Sequence, residues 1–113
     1  MKIVDVQISL YEIEKMAKER FGSLVKAVVD VEKKIMVVDG ELHADEEALL
    51  LSRGSKQEHL WGINLYPQLP ESDWLEFDSM INLRPSSGNL SRNIDDPKIR
   101  DKIIKIVKKL VKR

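Results

Sequence analysis

The end of the chain constrains the rest most strongly. Asp96 followed by Pro97 is a helix N-cap with proline at the first helical position, where its missing N–H costs nothing. Ile99, Ile103, Ile106, Val107 and Leu110 then recur at helical spacing, so the sequence predicts a helix reaching about Lys112 with one apolar stripe. A stripe of that kind has to be buried against another layer of structure. The residues opposite it are basic: from Lys98 to Arg113 there are eight Lys/Arg against one acid, Asp101. Because the whole chain is neutral, the preceding body is acidic by about the same excess.

With 113 residues the chain fits one globular domain, 1–113, long enough to bury a core without staples. It contains no cysteine, which excludes disulfide frameworks, thiolate zinc sites and cysteine nucleophiles. No apolar run approaches the roughly 18 residues of a membrane span, and an acid at Asp5 interrupts the N-terminus too early for a signal peptide. The expected compartment is the cytoplasm. Charged residues make up 34% while asparagine and glutamine number only four and three, the Lys/Glu-rich, amide-poor balance of heat-adapted proteins.

Ser9 and Glu12 form a capping box, with Ile8 and Ile13 as its hydrophobic staple, so a first helix is expected over Leu10 to Phe21, closed by Gly22. Leu24 to Val31 and Ile35 to Val38 read as a hairpin across Glu32-Lys33-Lys34, the first strand central because both its faces are apolar. Asp45, Glu46 and Glu47 suit the first turn of a short helix closed by Gly54, although the leucine run there also fits an extended strand. His59 to Tyr66 alternates as a strand whose Gly62 permits a close approach. Trp74 to Leu83 alternates again, with Leu75, Phe77, Ile81 and Leu83 on a core face and Glu76, Asp78, Met80 and Asn82 on the other; Pro85 ends it. The expectation is an α+β single domain, with an antiparallel or mixed sheet of about four strands and three helices.

Three polar groupings could carry chemistry. In the loop Arg84 to Arg92, two guanidiniums can grip phosphate or carboxylate in bidentate fashion, Gly88 lets backbone approach, and Ser86, Ser87, Asn89 and Ser91 supply donors. The ordinary account is that its arginines pair with Asp95 and Asp96. Glu41, His43 and Asp45, if extended, share one strand face as a metal cluster or acid/base group, with His43 the candidate proton-transfer residue; capping and solvation explain the same acids without a ligand. Asp78 and Asn82, with Asn64 and Asp30 on neighbouring strands, either line a pocket or make cross-strand pairs.

These groupings predict a small domain that binds an anionic small molecule through Glu41, His43, Asp45, Asp78, Asn82, Arg84, Ser87, Asn89 and Arg92. No metal or other cofactor is expected. The alternative is a homo-oligomeric module such as a homo-dimer, or a nucleic-acid-associated one, acting through the basic helix. Nucleic acid is the less expected partner, since lysines opposite an apolar stripe are commonly a solvated face.

The strings Val29-Val-Asp, Gly40-Glu-Leu-His-Ala-Asp, Leu60-Trp-Gly-Ile-Asn-Leu-Tyr-Pro67, Ser79-Met-Ile-Asn-Leu-Arg-Pro and Gly88-Asn-Leu-Ser-Arg92, followed by Asp96-Pro, resemble an uncharacterised family of small bacterial and archaeal proteins, domain of unknown function 5674. The resemblance spans nearly the whole chain. It implies a stand-alone prokaryotic protein and brings no activity, substrate or catalytic residue.

Overall fold

The computed structural model describes residues 1–113. Strand β1 (Lys2–Val4) and the short β2 (Ile8–Ser9) lead into helix α1 (Leu10–Arg20), where the Ser9 side chain accepts from the Glu12 amide at 3.1 Å. Glu12 does not reach back to complete the box; its carboxylate takes the Lys2 ammonium at 2.7 Å instead. The predicted hairpin is β3 (Val25–Asp30) and β4 (Ile35–Val38). Its turn is held by Asp30, whose Oδ1 accepts from the Glu32 and Lys33 amides, and Lys34 takes a left-handed φ of 59°. Helix α2 (His43–Ser52) follows, then β5 (Leu60–Leu65), β6 (Leu75–Glu76), helix α3 (Pro97–Leu110) capped by Asp96, and β7 (Val111–Lys112).

The main sheet has five antiparallel strands in the order β1-β4-β3-β5-β6, and β2 pairs in parallel with β7 as a separate two-stranded ribbon. The class is α+β as expected, with one more strand in the sheet than anticipated and a second ribbon that local pattern did not announce. Helices α1 and α3 cover one face, where Ile13, Ala17, Ile103 and Val107 pack on Val25, Ala27, Val29 and Ile63. Helix α2 covers the other, with Leu50 against Val28, Val37 and Leu60. Alternation along β3 dictates this division, since its neighbouring residues point to opposite faces.

The segment Trp74 to Leu83 departs from its predicted strand. Pairing ends after Glu76, and Met80–Asn82 form a 3-10 turn capped by the Ser79 hydroxyl, which accepts from the Ile81 amide at 3.3 Å. A serine offering its backbone a local partner competes with a ladder. Leu75 and Phe77 still reach the larger core, but Ile81 packs on the α2 side, Leu83 is exposed and Asn82 is fully buried. The single-face assignment of that stretch is therefore corrected.

Candidate functional site

Most of the Arg84 to Arg92 loop is engaged in holding itself and the edge of β5. Arg84 lies flat on the Trp61 ring, 4.1 Å from its centre, and donates to the carbonyls of Gln57 and Leu60. Burial lowers its pKa, which the nearby charge of Glu47 partly offsets. Asn89 donates to the carbonyls of Asn82, Ser91 and Asn93 and accepts from the Asp95 amide, so one side chain gathers the whole loop. Asp95 takes the Ser91 hydroxyl and the Leu90 amide, and those bonds lower its pKa. Asp96 caps α3. The two acids thus serve backbone and serine rather than the arginines. Ser87 is exposed on the surface.

Asn82 completes the edge. Its amide accepts from the Gly62 N–H at 2.8 Å and donates to the Gly62 carbonyl at 2.9 Å, which are the two bonds a paired strand residue would make. Gly62 is required for this closeness: a Cβ there would lie 2.5 Å from the Ser79 Cβ.

A different set of residues leaves polar groups free. On the α2 face, Lys26, Asn64 and Glu76 stand side by side across β3, β5 and β6. Asn64 donates to the Glu76 carboxylate at 2.8 Å and the Asp78 carbonyl at 3.3 Å, while its own oxygen, buried, makes no hydrogen bond within the protein. Tyr66 donates to the same Glu76 oxygen; burial, then that bond and the charges of Glu76 and Asp78, raise its pKa. Arg92 grips Asp78 through Nε at 2.7 Å, and both are more than two-fifths exposed, so the bridge adds little stability, up to about 1 kcal/mol.

His43 opens α2 and reaches this row. Its Nε2 lies 2.8 Å from the Ile63 carbonyl. A carbonyl only accepts, so the proton sits on Nε2 and Nδ1 keeps its lone pair. Burial lowers the His43 pKa against the bond to Ile63, with Lys26 and Arg92 also lowering it and Asp78 raising it. At neutral pH the ring is a neutral base. Lys26, Asp78 and Arg92 thus act electrostatically on the His43 ring, although Asp78 and Arg92 are remote from it in sequence. Glu41 and Asp45 are exposed and do not share a face with His43, because residues 43–52 are helical rather than extended. Asp30 is occupied by its turn amides and by the Ser55 hydroxyl at 2.6 Å.

One group went unnoticed in the sequence. Glu46, read as a complement to the helix dipole, is fully buried; its carboxyl accepts from the Gly40 amide at 3.0 Å, and burial pushes its pKa up to about 9. Lys26 acts on it electrostatically, as it does on His43 one turn away. The available signal was Gly40, whose Cβ would sit 2.4 Å from the Glu46 Cγ. The three main surface hollows lie elsewhere. The first, about 410 Å³, runs between Trp74 and α3; the second, about 440 Å³, lies between α3 and the hairpin turn; the third, about 430 Å³, lies beside α1.

Fold and site together define a small three-layer α+β domain with a cluster of polar side chains beside the start of α2. The chain belongs to the family described as protein of unknown function (DUF5674), whose model matches residues 2–110. No curated protein and no solved structure matches it. No helix is long and apolar enough to cross a membrane.

Proposed function

We propose that the protein binds a small organic anion at the polar cluster of Lys26, His43, Asn64, Asp78 and Arg92. The observation that carries this reading is the Arg92–Asp78 pair set beside the row of Lys26, Asn64 and Glu76, tied to it by the bond from Asn64 to the Asp78 carbonyl. Asp78 occupies the Nε of Arg92 and leaves the terminal nitrogens of that guanidinium to a ligand, with Lys26 as a second positive charge. Lys26 and Arg92 stand against two acids, Asp78 and Glu76, so what favours a carboxylate or phosphate is the guanidinium edge that Asp78 leaves open rather than a net positive charge. The unpartnered Asn64 oxygen favours a ligand that also carries a hydroxyl, since a buried acceptor left alone costs free energy. His43, neutral with Nδ1 free, is the group placed to take a proton if the bound molecule reacts. Arg84, Asn82 and Asn89, by contrast, serve the frame. The heat-adapted composition and the family resemblance make a prokaryotic cytoplasm the setting we propose for it.

The test is a thermal-shift series with inorganic phosphate, phosphate monoesters and small hydroxycarboxylates. A ligand at about a hundred times its dissociation constant adds about 2.7 kcal/mol, several degrees for a domain of this size. The shift should vanish in Arg92→Ala and in His43→Ala and persist in His59→Ala. If no anion shifts the midpoint, or the Arg92→Ala shift equals that of the parent, the cluster is not a ligand site.

A further inference from the structure

The hollow between α3 and the β3–β4 turn is walled by lysines from two remote parts of the chain. Lys102, Lys105 and Lys109 line it from α3, and Lys34 lines it from the turn. All four are exposed, and none takes part in a salt bridge. Lys33 also lines the hollow but donates a hydrogen bond to the Arg53 carbonyl at 3.2 Å. Asp5 is the one acid in the wall. Like charges gathered in a concave surface repel one another and concentrate counter-anions. The turn adds an independent feature: Lys34 holds a left-handed backbone that favours glycine or asparagine, and sparsely populated conformations of this kind gather at binding sites.

We infer that this groove is a sequence-independent site for the phosphate backbone of nucleic acid. Lys102, Lys105 and Lys109 follow one helix face over about 10 Å at roughly 1.5 Å per residue. A strand of B-form duplex advances about 3.4 Å per phosphate, so the row matches about three phosphates and Lys34 a fourth. The hollow has no aromatic lining to stack a base and no arginine to grip a base edge, which leaves charge as the means of recognition. The ligand is different from that proposed for the cluster around His43, and so are the residues.

The experiment is fluorescence anisotropy of the intact chain with a labelled 12-base-pair duplex in two unrelated sequences, across a salt series. With four phosphates neutralised, log K against log salt should slope at about −3.6, equally for both sequences. The double variant Lys105→Gln/Lys109→Gln should bind at least about tenfold more weakly at low salt, with the slope reduced by about 1.8. A charge-matched control, Lys15→Gln/Lys18→Gln on α1, should bind as the parent does. Unfolding midpoints identify any variant that fails to fold; the single substitutions Lys102→Gln and Lys34→Asn then serve in its place. Absence of duplex binding at low salt, equal loss in the control, or tighter binding of a polyglutamate peptide or inorganic polyphosphate than of the duplex would each overturn the assignment.

Discussion

Glu46 is the residue whose chemistry is furthest from ordinary. A carboxyl that ionises near 4.5 when free and at about 9 in the fold holds its proton more tightly in the native state. Between those values the folded protein carries a proton that the unfolded chain has released, so stability falls as pH rises through the window and is fully regained only below about 4.5. At about 1.4 kcal/mol per pH unit, the group removes about 4 kcal/mol between pH 5 and pH 8. Glu46→Gln keeps the carbonyl that accepts from Gly40 and abolishes the titration. Urea unfolding at pH 5 and pH 8 should show the decline in the parent and its loss in the variant; equal declines would mean that Glu46 is ionised in the fold. Local pattern points the other way, because an acid in the first turn of a helix is ordinarily a solvated dipole partner. Only the approach of Gly40 turns it inward.

At the scale of elements, helix boundaries were the most legible part. Ser9 and Asp96 cap α1 and α3, each side chain accepting from a helical amide, because capping depends on residues a few positions apart. The hairpin and β5 were legible for the same reason, through alternation and turn residues. The stretch after Glu76 was not, since the edge of β5 is met there by side chains rather than by a strand. Asn82 substitutes for a backbone pair at Gly62, and Arg84 serves the Leu60 carbonyl next along the edge. Asn82→Ala would leave the N–H and carbonyl of Gly62 without their partner in a buried place and take from the Arg92 carbonyl one of its donors, the Ser79 amide remaining, a loss of about 2–4 kcal/mol. Denaturant melts measure it directly. A loss below about 1 kcal/mol would show that the edge does not depend on this amide. The polar face once assigned to Asp78 and Asn82 thus divides into a half-exposed acid beside Arg92 and an amide sealed in the frame.

At the scale of the whole molecule, the two ends of the chain meet. Ile8 pairs with Val111 and Ser9 with Lys112, and both apolar members are buried. No periodic pattern could disclose this, because two-residue strands carry no alternation and their pairing is as non-local as the chain allows. Removing residues 111–113 should cost about 2–3 kcal/mol from the buried valine and the lost ribbon, lowering the thermal midpoint by several degrees. An unchanged midpoint would mean the ribbon is ornamental to the core.

The covered edge of β5 also bears on how copies of this protein behave towards one another. An open strand edge is a template on which a second chain can add, and the apolar flank of β5 would make such an addition favourable. Asn82 and Arg84 occupy the donor and acceptors that an intruding strand would need. Molecules lacking that amide would then stick together before they fully unfold, and turbidity on gentle warming would report the failure of a guard rather than the loss of a fold.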